Sequence, residues 1–161
     1  MTAEPAAPPL RVEVQNAVGA TGMPAEDQYA AWVGAALSGA GRLSSGVVTV
    51  RLVAEEESAA LNSTWRKRTG PTNVLAFPGP CDAPVAPDAD LEIGDLVICW
   101  PIARAEADEQ RKPPAAHLAH LVVHGTLHLI GYDHHGDTDA ERMESLEVRI
   151  MAGLGFADPS G

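Results

Sequence analysis

The chain has 161 residues, 45% of them hydrophobic, and a formal net charge of −11 at pH 7. These values suit a single domain over 1–161 with its own core, whose first residues, 1–9, form a loose Ala/Pro-rich segment. The negative charge excludes a protein that binds nucleic acid over its whole surface. No signal peptide or membrane-spanning run is visible, and only two cysteines occur. We therefore expect a cytoplasmic protein with reduced thiols and no membrane partner.

The first elements alternate between strand and helix patterns. Residues 10–15 alternate in polarity like a strand. Residues 25–40 carry apolar side chains at helical spacing until two glycines end the run. Residues 47–54 are a β-branched run, which is typical of a strand. The chain therefore begins with two strands separated by a helix.

Helical spacing returns over 55–66. In that helix we expect Ala59, Leu61 and Trp65 to face inward, because they recur at helical intervals. Residues 73–77 then form a short apolar run that predicts a third strand.

The second half begins with a loop and ends with helices. Residues 78–90 hold four prolines and three aspartates and predict a loop. Residues 93–100 predict a strand, and Pro101 fits the first turn of a helix reaching about Lys112. An uncharged helix follows over 115–130.

The last helix, 139–154, opens with a capping-box pattern, Thr138-x-x-Glu141. Its apolar residues follow a helical period and are expected in the core: Met143, Leu146, Ile150 and Met151. Because strands and helices interleave, we predict an α+β fold in which helices pack on a mixed sheet of about four strands.

All six histidines lie between positions 117 and 135. Four of them, His117, His120, His124 and His128, fall within a sector of about 80° on the helix 115–130. No charged residue occurs on this helix. We therefore expect a central helix buried nearly all round with one stripe of imidazoles, and an exposed His117 at its start.

The stripe continues into the pattern H-x-x-x-H-x-x-G-x-x-H. His124 and His128 are one turn apart, so both can reach one ion at about 2.1 Å. Gly131 can end the helix in a left-handed conformation and return the chain so that His134 supplies the third ligand. His135 is an alternative to His134. Three neutral histidines leave an open position, as in a catalytic zinc site, with one Zn²⁺ per chain; nickel or another borderline ion is an alternative.

Two neighbours of the expected ligands have supporting roles. His120 and His128 are about 12 Å apart on a straight helix, so His120 is expected to pack beside the ligands rather than to bind the ion. Asp133 is expected to accept the free N–H of a ligating imidazole, or else to shape the turn.

The same spacing marks the metzincin proteases when Glu follows the first histidine as general base. Here that position is Gly125, and nothing in the spacing directs Glu141 or Glu144 at the ion. A protease is therefore disfavoured. What remains is a Lewis-acid metal that polarises a phosphoryl oxygen, activates water, or does both.

Local positive charge is the other feature that bears on the substrate. Arg66-Lys67-Arg68 is one cationic run and Arg111-Lys112 a second. Charge alone favours an ordinary solvated surface for both runs, so no RNA contact follows from it.

Four blocks in order resemble the YbeY family of endoribonucleases. HGTLHLIGYDH at 124–134 is similar to the family signature, and LNSTWR at 61–66 to its LNxxYR, with Trp65 for Tyr. PTNVLAFP at 71–78 resembles its PT(D/N)VLSFP, with Ala for Ser, and IGDLVIC at 93–99 its LGDIVIC. The blocks span nearly half of the chain.

The resemblance implies a metal-dependent endoribonuclease specific for single strands, acting in small-subunit ribosomal RNA maturation and ribosome quality control. Its implied partners are single-stranded RNA, ribosomal RNA and ribosome-associated proteins, with no DNA expected. It singles out Arg66 as the catalytic cation that meets RNA phosphate, beside the catalytic ligand His124. The alternatives are a non-catalytic ribosome-assembly module with structural zinc, and a metallohydrolase of peptides or small phosphoesters.

Overall fold

The computed structural model of the protein describes residues 10–21, 23–42, 46–79, 92–132 and 136–156. The predicted loose segment at 1–9 and nearly all of the predicted loop at 78–90 lie outside these ranges. Strands and helices alternate along the chain: β1 (Leu10–Asn16), α1 (Glu26–Gly39), β2 (Gly46–Val53), α2 (Glu55–Leu61), a π-helical turn (Asn62–Arg66), β3 (Val74–Pro78), β4 (Glu92–Cys99), α3 (Trp100–Glu109), α4 (Pro114–Leu129) and α5 (Asp137–Gly153).

The four strands form one mixed sheet in the order β1-β2-β4-β3. β1, β2 and β4 are parallel, and β3 runs antiparallel to β4 at the sheet edge. The prediction of an α+β fold with a mixed sheet of about four strands is therefore confirmed. Within the described ranges, no helix combines the length and the apolarity needed to cross a membrane.

The sheet has a hydrophobic core on each face. Side chains along a strand alternate between the two faces, so neighbouring residues contribute to different cores. The larger core joins one face to α1, α4 and α5 and includes Leu96 and Ile98 of β4. Val97 points the other way, into a smaller core that Leu61 and Phe77 partly cover. The helix that carries most of the histidines thus belongs to the larger core.

Two local predictions are wrong. Trp65 was expected to face inward but is 66% exposed, because 62–66 form a π-helical turn. This wider turn rotates the side chains within it, including that of Trp65, away from the face that α-helical spacing predicts. The Thr138 capping box also fails: α5 begins at Asp137 with Gly136 as N-cap, so Thr138 lies inside the first turn and cannot cap it.

The core positions predicted for α5 are confirmed. All four of its apolar side chains, Met143, Leu146, Ile150 and Met151, are buried. The same buried face also contains a glutamate, Glu147.

Candidate active site

Helix α4 carries four of the histidines and is held directly against the sheet. It begins with Pro114 in its first turn, where the missing N–H costs nothing, and most of its side chains are buried. Gly125 makes the close approach possible, because a Cβ there would lie only 2.7 Å from Leu96 Cδ2 and 3.4 Å from Val74 Cγ2. The prediction of a helix buried nearly all round is confirmed.

This packing explains why position 125 is a glycine and not the glutamate of the metzincin pattern. The position faces β4 and β3, not open space. A carboxylate there would be driven into the larger core and lose its hydration. The protease base is therefore excluded by packing as well as by sequence.

His124 and His128 bring their ring nitrogens together. Their Nε2 atoms are 3.1 Å apart, and the ring centroids are separated by 4.6 Å. Two nitrogens bound at about 2.1 Å to one tetrahedral ion would be about 3.4 Å apart. The pair therefore fits a shared metal ion with only a small adjustment.

The end of α4 has the geometry predicted for it. Gly131 has φ +105°, its N–H donates to the carbonyl of His128 (3.1 Å), and the N–H of Tyr132 donates to that of Leu127 (3.0 Å). These two bonds close the helix as a Schellman motif. His134, Asp133 and His135 lie outside the described residues. Across the described ranges, no three metal-ligating side chains converge on one point.

A buried carboxylate that sequence reasoning missed contacts the histidines. Glu147 Oε1 accepts hydrogen bonds from His124 Nδ1 (2.8 Å) and His120 Nε2 (3.1 Å). Burial acts to raise the pKa of Glu147, but the hydrogen bonds from His120 and His124 outweigh it and lower the pKa to about 2. Its sequence signal was a charged residue on the apolar face of α5, one turn after Met143.

His117 is not exposed, as the sequence had suggested, but 4% accessible. Its Nε2 lies 2.9 Å from Glu106 Oε1 of α3, and Asn73 Nδ2 donates to the same oxygen (3.1 Å). Helix α3 packs against α4, and its Glu106 contacts this imidazole. Asn73 of the PTN block thus links the start of β3 to the histidine stripe.

The cationic segment, Arg66-Lys67-Arg68, is exposed at the end of the π-helical turn. Asn62 of the LNSTWR block joins the chain on either side of this segment: it is buried, and its Nδ2 donates to the carbonyl of Gly70 (2.9 Å). The Arg66 guanidinium makes no ion pair with any residue in the ranges that the structure covers, so its charge is available to a ligand.

Among the described residues, the cationic segment does not contact the imidazoles of α4. Trp65, which precedes Arg66, packs edge-on against Phe77, with 6.2 Å between ring centroids. Phe77 contributes to the smaller core. Val74, three residues earlier in β3 and therefore on the opposite face of the strand, faces α4 and the larger core. The two features therefore meet the sheet from opposite faces of β3.

Fold and site together define a class of α+β protein in which a histidine-bearing helix packs on a four-stranded mixed sheet. Residues 15–155 match the family described as Endoribonuclease YbeY. The chain is 52% identical over 155 residues to the endoribonuclease YbeY of Alkalilimnicola ehrlichii, covering 95% of this chain and 92% of that protein. It is 45% identical to that of Nitrosococcus oceani, covering 93% and 96%.

The chain therefore belongs to the endoribonuclease YbeY family, a family of hydrolases that act on RNA, and the resemblance drawn from four sequence blocks is confirmed. The solution structure of a Thermotoga maritima protein has the same fold, with a TM-score of 0.52 and 23% identity over 94% of this chain and 99% of that one. That likeness bears on the fold alone.

Proposed function

We propose that this protein is a zinc-dependent endoribonuclease that cuts single-stranded RNA during small-subunit ribosomal RNA maturation and ribosome quality control. The observation that carries the proposal is the pair of Nε2 atoms of His124 and His128, 3.1 Å apart on one face of a buried helix. Family membership supports the RNA substrate.

Three histidines would hold the metal: His124, His128 and His134. The first two have their Nε2 atoms at a separation that suits one shared ion. When bound, zinc supplies a Lewis acid for a phosphate oxygen and for a water molecule. With three protein ligands, one position stays available for substrate.

Arg66 would bind the RNA phosphate. Its guanidinium can donate two parallel hydrogen bonds to phosphate oxygens, an arrangement that lysine cannot reproduce. In a chain of net charge −11, such contacts must be local, and the exposed run that Arg66 begins is suited to them. RNA that meets both Arg66 and the histidines has to pass edge strand β3, a path open to a flexible single strand.

The experiment compares three variants on a labelled single-stranded RNA and on its duplex, with bound metal counted in each preparation. His124→Ala should lose metal and slow cleavage at least about 100-fold. Arg66→Ala should keep the metal and slow cleavage about tenfold or more, because a charge-assisted contact is lost. Arg68→Ala, a neighbouring exposed cation, is the matched control and should stay within about twofold.

Three results would contradict the proposal. Equal effects of Arg66→Ala and Arg68→Ala would remove the special role of Arg66. Duplex cut as fast as single strand would remove the strand preference. Stoichiometric zinc without any RNA cleavage would favour a ribosome-assembly module instead.

A further inference from the structure

Glu147 is the one charged side chain that is buried within the described ranges, with 4% of its surface exposed. It lies on the apolar face of α5, among Met143, Leu146 and Ile150. An unpaired carboxylate in such a place would lose its hydration without compensation. Its position therefore requires specific partners, and the partners are two imidazoles of α4.

Both hydrogen bonds end on the same oxygen. His124 Nδ1 and His120 Nε2 lie 2.8 Å and 3.1 Å from Glu147 Oε1. An ionised carboxylate only accepts hydrogen bonds, so each of these nitrogens must carry a proton. In the neutral rings, the lone pairs are then on His124 Nε2 and on His120 Nδ1.

The two lone pairs have different surroundings. That of His124 Nε2 is 3.1 Å from His128 Nε2, where the two rings face each other. His120 Nδ1 is buried and has no hydrogen-bond partner among the described residues. One carboxylate thus turns the ligand nitrogen of His124 toward His128 and leaves that of His120 enclosed.

We propose that Glu147 is a positioning residue that decides which histidine pair of α4 can bind a metal. The stripe offers two pairs with the same one-turn spacing, His120 with His124 and His124 with His128. Glu147 Oε1 is bonded to both rings of the first pair, so only the second pair keeps two Nε2 atoms together. This inference rests on the metal site of the proposed function.

The first test needs neither metal nor RNA. In the metal-free wild-type protein, ¹⁵N NMR of the imidazole nitrogens should show the ring proton of His124 on Nδ1 and that of His120 on Nε2. A spectrum with the His124 proton on Nε2 would overturn the proposal. Because this measurement uses the unmodified chain, it does not depend on how any variant folds or on whether RNA is cut.

The second test uses Glu147→Gln, with Glu144→Gln on the exposed face of the same helix as matched control. Glutamine keeps the shape but lacks the charge, and its amide can also donate, so the His124 tautomer should become mixed. Zinc affinity, measured by competition with a chelating dye, should fall about 10- to 100-fold. Glu144→Gln should leave both readouts unchanged.

A purely structural role predicts a different result. Glu147→Gln would then lower the free energy of unfolding of the metal-free protein, while zinc affinity stayed within about twofold of wild type. That outcome would overturn the proposal. If the wild type cut no RNA but the tautomers and zinc affinities behaved as expected, the proposed function would fail and the positioning role of Glu147 would stand.

Discussion

The histidine column and the cationic segment are both polar regions of one small protein, but they are built in opposite ways. The histidine column, His117, His120, His124 and His128 with its two glutamates, lies on a helix packed into the larger core. The cationic segment, Arg66-Lys67-Arg68, is exposed to solvent at the end of a π-helical turn, beside an exposed tryptophan.

Because of this contrast, we expect mutations in the two regions to change different properties of the protein. The buried polar groups of the column, His117 and Glu147, are bonded to other members of it, so removing a partner leaves a buried group unsatisfied. Side chains of the exposed segment have no such dependence and can be changed at little cost to the fold. Changes in the column should therefore move the free energy of unfolding, and changes in the segment should move only RNA binding.

The largest effect should come from filling the contact between α4 and the sheet. Gly125→Glu adds the residue that the metzincin pattern has there, but it would force a carboxylate against Leu96 and Val74. We expect the free energy of unfolding to fall by at least about 3 kcal/mol in urea denaturation, because both overpacking and desolvation oppose the change.

The control for this variant is Gly153→Glu, since a side chain at Gly153 of α5 meets nothing within 4 Å. Its free energy of unfolding should stay within about 0.5 kcal/mol of wild type. Similar losses for both glycines would show that Gly125 is not a packing position. If the Gly125→Glu protein were stable and cut peptides, the conclusion that packing excludes a protease base at this position would be wrong.

Local patterns were enough to predict the fold and half of the site. β-Branched runs and helical spacing depend on near neighbours, and the pair His124 and His128 follows from helix geometry alone. Glu147 could not be placed, because the packing angle between α4 and α5 decides which turn of α5 meets the stripe. Trp65 was misplaced because the sequence does not show where a helix widens into a π turn.

Loss of a carboxylate at the start of the column should have an intermediate effect. Glu106→Ala removes the hydrogen-bond partner of the buried His117 and of Asn73. The free energy of unfolding should fall by about 1–3 kcal/mol, the cost of leaving a buried polar group unsatisfied. Glu109→Ala, on the exposed side of the same helix, is the control. Equal stability of the two variants would show that His117 finds water instead.

Trp65 should matter for binding and not for folding. It is 66% exposed and adjoins Arg66, so an unpaired base can stack on its indole while the backbone meets the cations. Trp65→Ala should weaken single-stranded RNA binding about tenfold, and Trp65→Phe much less, in fluorescence anisotropy. The free energy of unfolding should change by no more than about 1 kcal/mol, the contribution of the edge-on contact with Phe77. A loss of stability without a loss of affinity would place Trp65 with the core residues.

The smallest expected effect is on the salt dependence of RNA binding. If two cations, Arg66 and Lys67, make the phosphate contacts, log K should fall with log salt concentration with a slope of about −1.4, at roughly 0.7 per phosphate. Arg66→Ala should reduce the slope by about 0.7, whereas Arg68→Ala, the control, should leave it unchanged. A slope near −5 would require further cations, Arg111 and Lys112 being the next run in the sequence. The slope therefore measures how local the RNA contact is on a protein whose net charge of −11 repels RNA elsewhere.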